Sequence, residues 1–119
     1  MAGFMPNDIN VAELHDCFTV MGVIGIEIIG KVLYGLGAKY WVDGKASVDG
    51  ECGINTSGGL IAKGHPVGAT GVAMLGWAAW QLLGKVPAAL QVKNAKAVAT
   101  FNIGGPICAS VCTVLKPGA

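Results

Sequence analysis

The apolar positions of this chain fall into a few long runs separated by glycine-rich turns. Val11-Ala12-Glu13-Leu14 predicts a short extended segment leading into His15-Asp16-Cys17-Phe18. From Phe18 to Leu36 the chain is apolar nearly all round. Glu27 and Lys31 stand four apart on one stripe that should face solvent. This predicts a mostly buried helix, ended by Gly35 and Gly37. Residues 38–56 gather turn chemistry (Asp43-Gly44, Asp49-Gly50, Cys52-Gly53) and predict a loop region, with a short strand around Tyr40-Trp41-Val42. A second helix is predicted from Pro66 to about Gly84, rich in small residues that let another backbone approach. Val86 to Asn94 reads as a surface connection. Ala97–Ile103 and Ile107–Leu115 are β-branched or small and apolar on both faces, and predict two strands. Only Gly104-Gly105-Pro106 separates them, so they should form an antiparallel hairpin. There is no internal repeat and no low-complexity tract. Strand, helix, helix, strand, strand is an α/β pattern.

The residues between the two helices carry the first candidate chemistry. Ser57 to Ala69 is a glycine-dense loop that delivers His65 to the mouth of the second helix. Pro66 suits the first helical position and pushes His65 out of the helical region. A neutral imidazole at such a place serves as an acceptor or a base. A plain turn histidine that caps a helix has the same local pattern.

Composition changes the picture. Of the 119 residues, 53% are hydrophobic and only 13% charged, against about 25% charged in ordinary soluble domains. Such a chain lacks the polar surface to cover itself, and two explanations compete: a membrane segment or a large protein partner. Pro66 to Gly84 has no charge and the length to span a bilayer. Gly68, Gly71, Gly76 and Thr70 interrupt it, however, and no flanking cluster of Lys or Arg anchors it. A face covered by other protein is the better account. A net charge of +1 offers no footprint for nucleic acid, and no secretory signal pattern opens the chain. Cys17, Cys52, Cys108 and Cys112 lack metal-ligand spacing and form no disulfide framework. Thiols in a reducing cytoplasm are the natural reading.

Three blocks together resemble a known family. Ser57 to Gly71 (S-G-G-L-I-A-K-G-H-P-V-G-A-T-G) resembles the glycine-histidine-proline signature of the thiolases. Glu13 to Phe18 (E-L-H-D-C-F) resembles the His-Asp-Cys-Phe block of the sterol-carrier-protein type. Phe101 to Pro106 (F-N-I-G-G-P) stands where the family has its C-terminal Cys-x-Gly block. The resemblance implies that residues 1–119 are the closing portion of a thiolase-fold domain, a mixed five-stranded sheet covered by helices. Another chain or a missing segment would complete it. It implies an acyl-CoA acetyltransferase or 3-ketoacyl-CoA thiolase that works only within a larger assembly, on coenzyme A thioesters, with no permanently bound cofactor. The expected roles are His65 activating a nucleophilic thiol and donating to a thioester oxygen, and His15 completing that oxyanion site, directly or through a water. Cys17 would be the acid/base at the α-carbon, and the Gly104 N–H would serve a second oxyanion site. Asn102 stands where most thiolases carry their acid/base cysteine. The loss of a thiol there agrees with the gain of Cys17.

The nucleophilic cysteine is expected on a complementary N-terminal chain, in a dimer or higher oligomer. A small zinc-ribbon/OB-fold accessory protein is a further partner of this family type. A retro-aldol lyase of the same fold and a non-catalytic thiolase-like subunit are the alternatives. The low charge content predicts that the isolated chain self-associates or aggregates in analytical ultracentrifugation. A compact monomer with a cooperative melt would overturn the expectation of a covering partner.

Overall fold

The computed structural model describes residues 3–105 and 107–118. Four strands form one mixed sheet: β1 (Val11–Leu14), β2 (Gly53–Ile54), β3 (Val98–Gly104) and β4 (Ala109–Leu115), in the order β2-β1-β3-β4. β1 is parallel to both β2 and β3, with Val11 opposite Val98 and Leu14 opposite Phe101. β3 and β4 are antiparallel, from Val98 opposite Leu115 to Gly104 opposite Ala109. The expected hairpin is therefore present; Pro106 of its turn lies outside the described residues. Five strands were expected of the complete domain. Four are present among the described residues, and β4 ends the sheet.

Every residue of β1 is buried, because helices cover both faces of the sheet. On one face Ala12, Leu14, Ala99, Phe101 and Ile103 pack with Met21, Ile26 and Tyr40. These come from α1 (Thr19–Ile28) and α2 (Gly37–Val42). On the other face Val11 and Val98 pack with Ala78 of α4 (Thr70–Leu82) and with Val92. This three-layer arrangement explains the unbroken apolar runs: a strand covered on both sides has no solvent face to mark with polar residues. β4 departs from that expectation. Residues 109–112 are exposed, so its apolar side chains lie at an uncovered edge.

Several boundaries differ from those predicted. The first helix stops at Ile28 rather than Leu36, where Gly30 takes φ +77°. Glu27 and Lys31 do not form a solvent-facing pair. Glu27 Oε1 accepts from the backbone N–H groups of Gly35 (3.0 Å) and Gly37 (2.8 Å), which starts α2. Lys31 Nζ donates to the carbonyl of Ile9 at 3.1 Å. Tyr40-Trp41-Val42 is helical, not a strand; with Glu27 holding the start of α2, the helical turn buries Tyr40. The second long helix begins at Thr70, because Pro66 to Ala69 form a turn of their own closed by Ala69 N–H to Pro66 O (2.8 Å). At 13 residues α4 falls short of the ~20 that a membrane span needs. No helix among the described residues is long and apolar enough to cross a membrane.

The connection after α4 is not merely superficial. Val86 and Val92 are buried, and Gln81, 1% exposed, ties the segment down. Its Nε2 donates to Leu90 O (2.7 Å) and Thr56 Oγ1 (2.8 Å), while its Oε1 accepts from Val92 N–H (3.1 Å). Replacing Gln81 with Leu orphans a buried N–H and a buried carbonyl, at about 1–3 kcal/mol each. The expected outcome is a loss of about 2 kcal/mol or more, measured by denaturant unfolding of the assembled protein. An unchanged midpoint would show that water replaces the amide at no cost.

Candidate functional site

The period-two alternation of β1 sorts the motif residues onto opposite sides of the sheet. Val11, Glu13 and His15 face α4, whereas Ala12, Leu14 and Asp16 face α1 and α2. His15, 4% exposed, lies just past the end of β1, with its backbone N–H donating to Phe101 O (2.9 Å). Its Nδ1–H donates to Asn102 Oδ1 on the neighbouring strand β3 at 2.6 Å. The amide nitrogen of Asn102 rests on Gly71 of α4: a Cβ there would stand 2.8 Å from it.

His65 arrives from the other direction. Its ring meets the His15 ring edge to face, with centroids 4.9 Å apart. Its Nδ1 is 2.7 Å from Thr70 Oγ1, and that hydroxyl donates its own proton to Pro66 O (3.2 Å). The hydroxyl therefore accepts from His65 Nδ1–H, leaving the Nε2 lone pair available. A base at Nε2 is what an activating histidine requires.

Two buried carboxylates hold the loop that carries His65. Glu13, 1% exposed, accepts from the Ser57 backbone N–H (3.2 Å), from the Ser57 hydroxyl and from Lys63 Nζ (3.3 Å). Asp16 Oδ1 accepts from the Leu60 N–H (2.7 Å) at the start of the short helix α3 (Gly59–Lys63). Gly59 is required there on two counts. Its φ is +64°, and a Cβ would stand 2.0 Å from Asp16 Oδ2. Burial raises the Glu13 carboxyl above its usual 4.5, with the Ser57 and Lys63 donors opposing that shift.

The other expected residues are placed less tightly. Cys17 is exposed, two residues beyond His15 and immediately before Phe18, the N-cap of α1. Gly104 is exposed at the end of β3, two residues beyond Asn102 and so on the same face. Cys52 is buried and its thiol is pushed up to about 12 by desolvation. An apolar cavity of about 390 Å³ lies on the opposite side of the sheet, lined by Asp16, Thr19, Gly22, Val23, Trp41 and Ile61 among others.

The family model for the thiolase C-terminal domain-like family matches residues 1–117. This chain belongs to the thiolase C-terminal domain family. It is 44% identical over 105 residues to an acetyl-CoA acetyltransferase of Methanothermobacter thermautotrophicus, covering 88% of this chain and 27% of that protein. It is also 44% identical over 119 residues to human sterol carrier protein 2 (98% and 21%). Identity to the benzoylsuccinyl-CoA thiolase subunit BbsB of Thauera aromatica is 35% over 107 residues (90% and 28%). Among solved structures, the Ltp2-ChsH2(DUF35) aldolase superposes with a TM-score of 0.79 at 25% identity, over 96% of this chain and 28% of that one. The chain thus spans roughly a quarter of the length of these relatives.

Sequence reasoning named both histidines of this thiolase domain but not their partners. Thr70 was read only as an interruption of an apolar run, and Asn102 only as a missing cysteine. Glu13 carried a usable signal, since a carboxylate inside a four-residue buried strand must be paired. Folding favours the protonated Glu13 carboxyl, because its folded value lies above the unfolded one. The stability linked to it is complete below about 4.5 and falls as pH rises through the elevated value. Melting temperature of the assembled protein against pH is expected to show this fall, and Glu13→Gln should flatten it. Identical profiles for the native and Gln proteins would refute the assignment.

Proposed function

We propose that this chain is the C-terminal portion of an acyl-CoA acetyltransferase or 3-ketoacyl-CoA thiolase, and that it supplies acid/base and oxyanion groups to a Claisen condensation or its thiolytic reverse. The observation that carries this reading is the meeting of His15, His65 and Asn102, from three separate sequence blocks, on one side of the sheet. His65 Nε2 takes the proton of a nucleophilic cysteine on the complementary chain, and the thiolate attacks the thioester carbonyl. The protonated Nε2 then donates to the oxygen that acquires charge. Cys17, exposed two residues beyond His15, moves the α-proton, and the Gly104 N–H offers a second oxyanion donor. A glycine suits that place because its bare backbone lets the substrate approach.

The partner follows from what the fold leaves bare. α4 turns Val72 (72% exposed) and Trp80 outward, and Leu83 at its C-cap is 64% exposed. No charge lies between Gly64 and Gly84 to hydrate that face. A complementary thiolase chain carrying the nucleophile and completing the substrate site accounts for it, within a dimer or higher oligomer. The cysteine complement, without framework spacing, supports a reducing cytoplasmic setting.

A second reading has one specific support. One structural neighbour is an aldolase whose name joins it to a DUF35 component. That favours retro-aldol cleavage of a coenzyme A ester, with an accessory protein and no acyl-enzyme. Incubating the complete assembly with acetyl-CoA and weighing the intact chains separates the two. A covalent acetyl adduct on the partner chain is expected of the thiolase. Cys17→Ala should keep that adduct but lose condensation by about 10²-fold or more, and His65→Ala should impair both steps. Absence of any adduct in the active native assembly would transfer the assignment to the lyase. Equal, small effects of the two substitutions would point to a non-catalytic subunit.

A further inference from the structure

The contact between His15 and Asn102 fixes more than the position of a ring. A side-chain amide oxygen can only accept, so the 2.6 Å contact commits the proton of His15 to Nδ1. Nε2 of the neutral ring is then a lone pair. Among the described residues the buried side-chain nitrogens and oxygens without a partner are Tyr40 Oη and Gln91 Oε1. His15 Nε2, which makes no hydrogen bond, therefore opens toward solvent even though the residue as a whole is buried. The amide in turn is not free to rotate at will. Its nitrogen lies against the backbone of Gly71, where the space of a single methyl group is missing.

We propose that Asn102 is a positioning residue, seated on Gly71, that locks His15 in the Nδ1–H tautomer. Its Nε2 is thereby an acceptor rather than a donor. The consequence, which rests on the thiolase reading above, is that neutral His15 cannot itself donate to a thioester oxygen. It acts through a water that donates one hydrogen bond to Nε2 and the other to that oxygen. His65 carries the same polarity through Thr70, so the two rings in edge contact present two lone pairs. One of these, on His65, is free to receive the thiol proton while the other holds the water.

The test is a spectroscopic reading of the tautomer in the assembled protein, with this chain labelled with ¹⁵N at histidine. In the native protein a protonated-type resonance is expected for His15 Nδ1 and an unprotonated-type resonance for Nε2. Asn102→Asp keeps an acceptor in place and should preserve this pattern. Asn102→Leu, of similar size but without an acceptor, should abolish the preference and average the two resonances. Gly71→Ala, a change that favours the helix itself, should disturb the pattern by displacing the amide while α4 stays folded. An Nε2–H tautomer in the native protein would overturn the proposal, since Asn102 would then present its amide nitrogen. A native pattern that persists in Asn102→Leu would overturn it equally. Because the tautomer is read without turnover, its failure is distinct from failure of the acyl-transfer reading, which shows as a missing acetyl adduct.

Discussion

Burial of β1 on both faces is the constraint from which the rest of this domain follows. A strand covered on each side must send alternate residues into two different layers, and here the layers differ in kind. Leu14 and Asp16 go toward α1 and α2, whereas Glu13 and His15 go toward α4. A one-residue slip in register would exchange them and bring Asp16, not His15, beside Asn102. Pairing with β2 on one side and β3 on the other excludes that slip. Asn55 reinforces the register beyond the end of β2: its side chain both accepts from and donates to the backbone of Leu14, at 2.6 and 3.1 Å.

The buried charge of Glu13 is set against this background. Removing a carboxylate from water costs several kcal/mol, and hydrogen bonds to a charged group return about 1.5–3 kcal/mol each. Two donations from Ser57 and one from Lys63 thus offset much of the cost. They still leave the carboxyl above its ordinary value. The arrangement is therefore poor as a source of stability but specific as a clamp. It holds both ends of the segment from Ser57 to Lys63, two residues short of His65. Asp16 secures the middle of the same segment at Leu60 from the opposite side of the sheet. A glycine-rich loop, costly to order, is thereby fixed at three points without any of them occupying the histidine.

Much of this was legible in the sequence, and the omissions share a cause. The strands Val11–Leu14, Val98–Gly104 and Ala109–Leu115, the hairpin, and the two motif histidines follow from local pattern or from motif blocks. Misplaced boundaries arose where a side chain far along the chain decides the outcome. Tyr40 to Val42 is helical because Glu27 holds the N–H of Gly37, and the surface connection is tied down, with Val86 and Val92 buried, because Gln81 bonds its backbone. Similarly, nothing local marks Asn102 as the partner of a histidine 87 positions away. Its role appears only when parallel pairing of β1 and β3 brings the two ends together. The helix start at Thr70 was misread for a subtler reason. Pro66 is competent to begin a helix, but its carbonyl instead accepts from Ala69, Thr70 and the Thr70 hydroxyl.

The same pairing explains why the chemistry sits at an edge rather than in a pocket of this chain. His15 is buried, yet His65, Cys17 and Gly104 are exposed, and the apolar cavity lined by Thr19 and Trp41 lies across the sheet from them. The proposed thioester chemistry requires water to be excluded so that its donors are effective, and for that function an open arrangement is incomplete. The uncharged outer face of α4 begins next to the histidine pair, because Thr70 and Gly71 belong to both. Protein packed on Val72 and Trp80 would therefore both bury apolar surface and wall the site on its open side. Under the proposed function, assembly and activation would then be one event, which accounts for a domain that holds its two histidines by side-chain hydrogen bonds while leaving the candidate site uncovered.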